Sequence, residues 1–504
     1  MITVTMNGIR LKWKNTMTDL RQFTNYSGYY AATIIQGKPT SAAFYREFYQ
    51  QLKAYSTNNG LYDFINQELQ TTRISWKDVR SLKNPANRVI EFYAALLWPG
   101  HDLDVSMPIL AANEAILEPI ANIQKWSNFA INKQMAARQF ATLGDMFIKC
   151  NTKLDRDGNV TAVYQSFLDP TYVSEIETDE RGFLTFIRMD IPQYEEDEHG
   201  QEKETVHTEV WDKATQSWRI WMHEKGLDEK LEKLGTPSRS GNFAESFGGD
   251  YIPIVYQEFR KDGNGRASGA FVPALDKIDE INMKATRLAQ LLFRHGKADK
   301  MLVSDSVDSS GRPLPPPKVD SLVSSDNTVT IQGEKFYKLP SGWSIEHLIA
   351  NIDYDSHLQA IQGDLDELQQ DLPELAYNRI SEASDLSGRA LRYMLEAAVS
   401  RLLEARGNGE AAFVRANEMC LSIGQFHNLW NIGSFESGAF DHAFKERPVL
   451  MPDNKDIAET AQAWINAGAT NFTEVAKFVG LPEETAVLMA RSDLEMDIPG
   501  GEPR

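Results

Sequence analysis

A glycine-rich loop is the stretch of this chain that most resembles a ligand-binding site. Residues Gly263–Gly269 have the sequence GNGRASG, after an apolar run, Tyr251–Tyr256, and before a helical pattern that begins near Ala274. A strand, a glycine loop and a helix in this order form the phosphate site of nucleotide-binding folds. However, the glycine spacing is one residue off the dinucleotide pattern, and no βαβ pattern surrounds the loop. We therefore predict a turn between a sheet and a helix, with a nucleotide-binding enzyme as the alternative.

A second group of oxygen-bearing side chains, Asp155, Asp157 and Asn159, has the spacing of half a calcium loop. Val160 stands where that loop needs a glycine, and no glutamate completes the set, so the pattern predicts an Asp-Gly hairpin turn. The chain also contains no HExxH zinc pair, no GxSxG nucleophile motif and no GxxxxGKS/T phosphate loop. We expect no catalysis, no cofactor and no metal.

The composition is that of a large globular protein that does not bind nucleic acid by neutralising its phosphates. With 504 residues, 42% of them hydrophobic, the chain should form about two to four packing units. Its formal net charge of −19 is opposite in sign to the surfaces with which proteins wrap DNA. Cys150 and Cys420 are far apart and offer no disulfide framework, which suits a reducing compartment. We find no signal-peptide core and no apolar run near about 18 residues, so we expect no membrane association.

Hydrophobic periodicity predicts helices before residue 150 and strands after it. A helix should begin at Asn84-Pro85, and one long helix should run from about Ala111 to Ala141. Alternating runs separated by Asp-Gly, Arg-Gly and His-Gly pairs predict strands. These are Val160–Phe167, Phe183–Ile191, Thr205–Trp211 and Trp218–Met222.

Two helices of similar length bracket a separate module. In the second helix, Asp353–Leu372, five aliphatic residues recur at steps of three and four, at positions 358, 361, 365, 368 and 372. The first, Ala274 to about Gly296, carries a similar stripe at 275, 278, 281, 285, 288 and 292. Together they predict a helical hairpin that carries residues 297–351 as its tip. The remaining face of the second helix is acidic, with no Lys or Arg from Asn351 to Leu375. An ordinary solvated face is the alternative to a functional one.

A further amphipathic helix follows a polar run. Pro373 ends the acidic helix, and Ser387-Gly388 starts a helix with one apolar face. That face carries Leu391, Leu395, Ala398, Leu402 and Ala405. The intervening residues, Glu374–Leu386, exceed the roughly two to eight residues typical of helix–helix connections. This length predicts a loop that does more than connect the two helices. The alternative is an ordinary exposed loop on the outer surface of the protein.

Several short motifs cover most of residues 80–410 in one order. They are NPANRVI at 84–90, LGDMFI at 143–148, Asp169-Pro170, YIPIVY at 251–256, GRASG at 265–269, LDKIDEI at 275–281 and SGRAL at 387–391. This order resembles the portal proteins of long-tailed bacteriophages. The proline-rich segment at 312–317 departs from the common family pattern, and the ends of the chain match only in general character.

The resemblance implies an α+β, predominantly helical portal-type fold that assembles as a ring, usually of twelve copies. The implied parts are a wing at 1–270, stem helices at 271–297 and 352–373, a clip at 298–351, a channel loop at 374–386, a long wing helix at 387–430 and a helical crown at 431–504. The implied location is one capsid vertex of a virion that is assembled in the host cytoplasm. The implied partners are copies of the chain itself, double-stranded DNA in the channel, the terminase large subunit, the major capsid protein and scaffold, and a head-completion adaptor. A capsid scaffold or vertex protein without DNA passage is a further alternative.

The site residues follow from this arrangement. A channel must not bind phosphate tightly, since each neutralised phosphate adds affinity. The channel loop therefore mixes charges with neutral hydrogen-bonding groups, at Asn378, Arg379, Ser381, Glu382, Ser384 and Asp385. The acidic stem residues expected to face the channel are Asp364, Asp366, Glu367 and Asp371. The clip residues expected to dock partners are Lys300, Arg312, Lys318, Lys335 and Lys338.

Overall fold

The computed structural model describes most of the chain between residues 84 and 447. The described residues are 3–6, 9–12, 42–57, 84–196, 202–261, 266–296, 300–304, 307, 310, 312, 328–331, 334–337, 343–347, 354–382, 388–433, 435–447, 449 and 463. They combine helices with antiparallel sheets, which is the predicted α+β class.

The helices carry most of the described residues that lie outside the sheets. They are α1 (Ala42–Thr57), α2 (Pro85–Leu96), α3 (Leu103–Ser106), α4 (Leu117–Trp126), α5 (Phe129–Leu143), α6 (Leu231–Leu234), α7 (Phe243–Phe247), α8 (Leu275–Gly296), α9 (Tyr354–Asp371) and α10 (Gly388–Phe426). Short 3-10 helices occupy Glu114–Ile116, Pro170–Tyr172, Val272–Ala274, Pro373–Glu382 and Phe435–Ser437. No helix among the described residues is long and apolar enough to cross a membrane.

The strands pair in an antiparallel sense throughout. They are β1 (Thr3–Met6), β2 (Ile9–Lys12), β3 (Ile109–Ala111), β4 (Asp145–Leu154), β5 (Val160–Leu168), β6 (Val173–Thr178), β7 (Leu184–Glu196), β8 (Glu202–Asp212), β9 (Ser217–His223), β10 (Arg239–Asn242), β11 (Ile254–Glu258), β12 (Lys300–Ser304), β13 (Thr328–Ile331), β14 (Glu334–Tyr337), β15 (Trp343–His347) and β16 (His442–Phe444). A five-stranded meander has the order β10-β9-β8-β7-β6, and a three-stranded sheet has the order β11-β4-β5. Two-stranded pairs join β1 to β2, β3 to β16, β12 to β15 and β13 to β14.

The chain divides into two compact units. The first comprises residues 1–60, 85–275 and 369–504, and the second comprises residues 61–84 and 276–368. In the first unit, α10 packs on the three-stranded sheet with its apolar face buried, including Leu395, Ala398, Leu402 and Ala405. Gly409 of α10 lets the Trp98 ring approach its backbone, because a Cβ there would lie 2.5 Å from that ring.

The strand predictions are confirmed with small changes at their ends. Three of the four alternating runs lie within one strand each, and the second run begins one residue before β7, which continues to Glu196. The turn at Asp157-Gly158 is also confirmed, with Gly158 at φ +85°. These elements are local in sequence and need only alternation and a turn signal.

The prediction of one long helix from Ala111 to Ala141 is wrong. The segment contains β3, a 3-10 turn and two helices, α4 and α5, that meet at Ser127-Asn128. Asn128 adopts the left-handed conformation, with φ 48°, which asparagine tolerates better than most residues. The Ser127 hydroxyl accepts a hydrogen bond from the Gln165 backbone N–H of β5 at 2.8 Å. The break therefore aligns the two helices with the neighbouring sheet.

Candidate functional site

The described part of the glycine loop is packed against the backbone between α5 and β4. Gly144, at φ +79°, ends α5, and a Cβ there would lie 2.4 Å from the Ser268 carbonyl carbon. A Cβ on Gly269 would lie 2.5 Å from the Thr142 carbonyl oxygen. The Ala270 N–H donates to the Ala141 carbonyl at 2.8 Å. The two glycines thus permit two backbone segments to touch. Residues 263–265 lie outside the described residues.

Charged and phenolic groups beside this joint are buried together. The Asp145 carboxylate is fully buried and accepts hydrogen bonds from the Tyr49 hydroxyl, the Tyr256 hydroxyl (3.1 Å) and the Ala267 N–H (3.0 Å). Burial raises the pKa of Asp145, and the nearby Arg266 guanidinium opposes that rise. Arg266 donates to the Val173 carbonyl at 2.9 Å and lies over the Tyr45 ring at 4.6 Å. Arg266 and Asp145 therefore bind protein groups that join β4, β6 and α1.

The half calcium loop is a turn that uses its own carboxylate. Asp155 Oδ1 accepts from the backbone N–H groups of Asp157 (2.9 Å) and Asn159 (2.8 Å). These bonds close the hairpin between β4 and β5 as an Asx turn does. Across the described residues, no group of three or more His, Cys, Asp or Glu side chains could hold a metal ion.

The acidic face of α9 has basic partners on α8, which corrects the expectation of a face without counter-charges. Lys284 Nζ lies 2.8 Å from Asp364 Oδ2, and Lys277 Nζ lies 2.7 Å from Glu367 Oε1. Hydrogen bonds that Lys284 donates to the Asp364 and Glu280 carboxylates raise the pKa of Lys284. The sequence of α9 by itself contains no cation, whereas these lysines lie about 80 to 90 residues earlier in the chain. Asp364 and Glu367 therefore form ion pairs between the two helices of the hairpin.

The other two acidic stem residues are exposed on α9. Asp366 accepts a hydrogen bond from Gln362 Nε2 of the same helix at 3.0 Å. Asp371, at the end of α9, accepts from Arg401 Nη1 through its backbone carbonyl at 2.8 Å. Both side chains are exposed in one copy, and the channel-facing role expected of them stays a prediction.

The aliphatic stripes are buried along one part of the hairpin and exposed at its distal part. Ile361 and Leu368 of α9 are buried, as are Ile278, Ile281 and Leu288 of α8. Leu358 of α9 is 54% exposed, and Leu292 of α8 is 52% exposed. Each predicted stripe therefore lies on one face of its helix, but within one copy only part of that face is buried.

The segment predicted as a channel loop begins as a buried 3-10 helix, so its first residue is not a lining residue. Glu374 is fully buried and accepts a hydrogen bond from the Tyr93 hydroxyl of α2 at 2.7 Å. Burial and the Glu374 charge raise the pKa of Tyr93 well above its usual value. Arg401 Nη1 of α10 lies 3.7 Å from Glu374 Oε1, and the Tyr377 ring lies 5.4 Å from that of Phe92. Together these contacts join α2, α10 and the 3-10 helix.

The named channel residues follow this joint. Asn378, Arg379, Ser381 and Glu382 belong to the 3-10 helix Pro373–Glu382, and their side chains lie outside the described part. Ser384 and Asp385 lie outside the described residues altogether. The prediction of an irregular loop is wrong for 374–382, because Leu372 and Leu375 are buried and hold this turn against the helices.

The clip residues occur on and beside short antiparallel strands. Lys300 begins β12 opposite His347 of β15, and Lys335 lies on β14 opposite Thr330 of β13. Arg312 is exposed. Lys318 and Lys338 lie outside the described residues.

Two buried contacts were not predicted from the sequence. Cys150 of β4 and Cys420 of α10 are both free and buried, and burial together with contact between the two thiols raises the pKa of Cys420. Lys149 of β4 forms an ion pair with Glu209 of β8, which links the two larger sheets. Neither pair carries a sequence signal, since their spacings of 60 residues or more match no motif.

The Glu209 site gives the first testable prediction, a change in acid stability. Burial opposes ionisation of Glu209, but hydrogen bonds from His207, Lys149 and Trp211 outweigh it and lower the pKa to about 2. A carboxyl whose pKa falls on folding contributes stability that is present above its ordinary pKa of 4.5 and is lost as pH falls toward 2. Between pH 7 and pH 3 the wild type should lose about 2 kcal/mol more than Glu209→Gln.

The measurement is urea unfolding at each pH, with Glu177→Gln as the control. Glu177 is an exposed residue of β6, so its substitution should leave the pH dependence of the wild type unchanged. Equal acid losses in the wild type and in Glu209→Gln would show that the carboxylate is not preferentially stabilised in the folded chain.

Comparisons with known proteins give structural similarities only. No family model matches the chain, and no curated protein matches it. Among solved structures, the chain is similar to a chain of the virion of a native gene transfer agent particle, at 12% identity and a TM-score of 0.43, covering 79% of this chain and 90% of that one. It is similar at 13% identity and a TM-score of 0.42 to a chain of the neck of the native particle computed with C12 symmetry, with the same coverage. A chain of the neck of the empty particle computed with C6 symmetry gives 12% identity and a TM-score of 0.43.

Proposed function

We propose that this chain is the subunit of a bacteriophage portal ring, a conduit at one capsid vertex through which DNA enters and later leaves. The observation that carries the proposal is the order of elements in the second half of the chain. Helix α8 is followed by an insertion that contains β12–β15 and then by helix α9. The 3-10 helix Pro373–Glu382 and the 39-residue helix α10 come next. This is the order of stem, clip, stem and long wing helix in the family that the sequence motifs resemble.

The hairpin itself has the properties of a stem. Helices α8 and α9 have 22 and 18 residues, which correspond to about 33 Å and 27 Å at 1.5 Å per residue. The earlier Lys277 of α8 pairs with the later Glu367 of α9, and the later Lys284 pairs with the earlier Asp364, as an antiparallel hairpin requires.

In this proposal, the channel is lined by groups that do not hold DNA. The acidic residues Asp366 and Asp371 are exposed and repel phosphate, whereas Asp364 and Glu367 act within the hairpin. The channel loop is reduced to the residues after the buried joint at Glu374, from Asn378 to Asp385. Weak contact from such a mixed-charge segment would permit sliding, since affinity for DNA grows with each neutralised phosphate.

The proposed partners follow from the same assignment. The tip at 298–351 would dock the terminase large subunit during packaging and the adaptor afterwards. The parts outside the hairpin would contact the major capsid protein and scaffold. We also propose that the chain has no catalytic activity of its own. Support comes from the described part of the glycine loop, where backbone of the α5–β4 turn occupies the space beside Ser268 and Gly269.

The second prediction is that the purified chain forms a closed ring with a central channel. Heterologous contacts that repeat around an axis close into a ring. Twelve chains of 56.9 kDa would have a mass of about 0.7 MDa. Native mass spectrometry should give one dominant multiple of the chain mass, and electron microscopy should show the ring along its axis.

Three outcomes of this experiment separate the candidate functions. A ring with an open channel supports the portal proposal. An open or filled assembly favours a capsid scaffold or vertex protein without DNA passage. A monomer under assembly conditions, with a melting temperature that rises on adding nucleotide, favours a nucleotide-binding enzyme and contradicts the ring.

A further inference from the structure

The two cysteines of this chain are distant in sequence and meet where α10 packs on the three-stranded sheet. Cys150 lies on β4, the central strand of that sheet, and Cys420 lies on α10. Both are free thiols, with exposed fractions of 4% and 0%. The sequence contains no other cysteine. Within one copy, these two thiols are therefore the only possible partners for a disulfide.

One backbone carbonyl brings the two thiols together. The Cys150 thiol donates to the Ala416 carbonyl oxygen at 3.5 Å. In an α-helix such an oxygen also accepts the backbone N–H of the residue four positions later, which here is Cys420. The two thiols are themselves in hydrogen-bonding contact. A disulfide forms only between cysteines whose side chains approach each other closely, and this pair already does so.

A second contact holds α10 in this register on the sheet. Gln165 of β5 lies directly opposite Cys150 in the β4–β5 ladder. The Gln165 side-chain amide donates to Asn417 Oδ1 at 2.8 Å, and both residues are buried. Two adjacent residues of α10, Ala416 and Asn417, are thus bound to two adjacent strands. Sliding the helix along the sheet would break both hydrogen bonds, so the thiols are held next to each other.

We propose that Cys150 and Cys420 are a latent disulfide, which closes in an oxidising medium and locks α10 to β4. In a reducing compartment both residues remain thiols, as the structure has them. The bond would enclose the chain from β4 to α10, including the whole α8–α9 hairpin. Closing a long loop restricts the unfolded chain most, so the oxidised chain is expected to resist unfolding better than the reduced one.

A peroxide is the class of oxidant that the closure needs. One thiol loses its proton, and its sulfur attacks a peroxide oxygen to give a sulfenic acid and one molecule of water. The second sulfur then attacks the sulfenic sulfur and displaces hydroxide, which takes the second thiol proton and leaves as water. The two sulfurs lose two electrons in total, and one hydrogen peroxide is reduced to two waters. A dithiol reductant reverses the closure by thiol–disulfide exchange.

Burial makes this closure slow and selective. Burial and the adjacent Cys150 thiol raise the pKa of Cys420, whereas a hydrogen bond from Gln165 opposes that rise. Because the thiolate is the reactive form, the pair should react within the folded chain more slowly than an exposed thiol. Burial also keeps the thiols of other copies away from the pair. The bond expected is therefore within one copy.

The test treats the native wild-type chain with hydrogen peroxide, then denatures it and counts free thiols with iodoacetamide. The untreated chain should give two alkylated cysteines, and the treated chain should give none. Peptide mapping should recover Cys150 and Cys420 in one linked pair of peptides. Adding dithiothreitol to the treated chain should restore both thiols and lower its melting temperature by about 5 °C. Oxidised methionines persist through this step, so the difference measures the disulfide alone.

Cys150→Ala is the matched control, because it cannot form the bond within a copy. After the same peroxide treatment, dithiothreitol should not lower the melting temperature of this variant. Three results on the wild type would contradict the lock, and none depends on whether a variant folds. They are two free thiols after peroxide, a disulfide only between copies, and a bond within one copy that leaves the melting temperature unchanged or lower. None of these results bears on the proposed ring, which is measured separately.

Discussion

Gly144→Ala should lower the free energy of unfolding by about 2–5 kcal/mol, one of the largest effects expected of any single methyl group in this chain. Gly144 has φ +79°, a conformation that costs an L-residue about 1–2 kcal/mol. Its Cβ would also lie 2.4 to 2.5 Å from backbone atoms of Ser268 and Gly269. Backbone atoms cannot move aside as the end of a side chain can, so the clash adds to the conformational cost.

The matched control is Gly158→Ala, in the hairpin turn between β4 and β5. Gly158 has φ +85°, and no atom lies within 4 Å of the position that a Cβ would take, so only the conformational cost of about 1–2 kcal/mol applies. Urea unfolding of both variants, at concentrations where the chain is unassembled, measures the difference. Equal losses would show that the two backbone segments are free to separate.

The same pair of variants bears on the nucleotide-binding alternative. A glycine loop that cradles phosphate needs its backbone N–H groups to point at the ligand. Here the Ala267 N–H donates to Asp145 and the Ala270 N–H donates to the Ala141 carbonyl. A large loss in Gly144→Ala would assign these residues to a structural joint, where the glycines allow close packing of backbone.

Local patterns predicted the elements of the fold, and contacts between distant segments decided what those elements do. Alternation and turn residues placed β5, β7, β8 and β9 within a few residues, and helical periodicity placed α8 and α9 almost to their ends. Each of these signals lies within about 20 residues, where one face must be apolar and the ends must carry turn or cap residues.

The failures of prediction share one physical cause. The break at Ser127-Asn128 depends on a hydrogen bond to β5, 38 residues later. The buried state of Glu374 depends on Tyr93, which lies 281 residues earlier. The partners of Asp364 and Glu367 lie on another helix. A single sequence carries no record of such pairings, so a polar run looked like a loop and an acidic face looked unpaired.

The tip of the hairpin is the part that should be removable without loss of assembly, if the proposed docking role is right. The antiparallel pair β12–β15 brings the ends of the insertion together, with Ser304 directly opposite Trp343. Replacing residues 305–342 by Asn-Gly would close these strands with a two-residue turn, the connection that suits an antiparallel pair. The α8–α9 hairpin and its ion pairs would be retained.

This replacement should leave rings intact and abolish DNA packaging in an assay with terminase and proheads. The reason is that the removed residues include Arg312, Lys318, Lys335 and Lys338, whereas helices α8 and α9 and the ion pairs between them are retained. Native mass spectrometry measures the ring, and protection of DNA from nuclease measures packaging.

A full-length variant with these four residues changed to Ala separates the two ways in which the tip could act, by its charge or by its shape. If that variant packages normally and the replacement does not, the shape of the tip matters rather than its charge. If the replacement forms no ring, the tip is an assembly element, because both helices of the proposed stem would still be present.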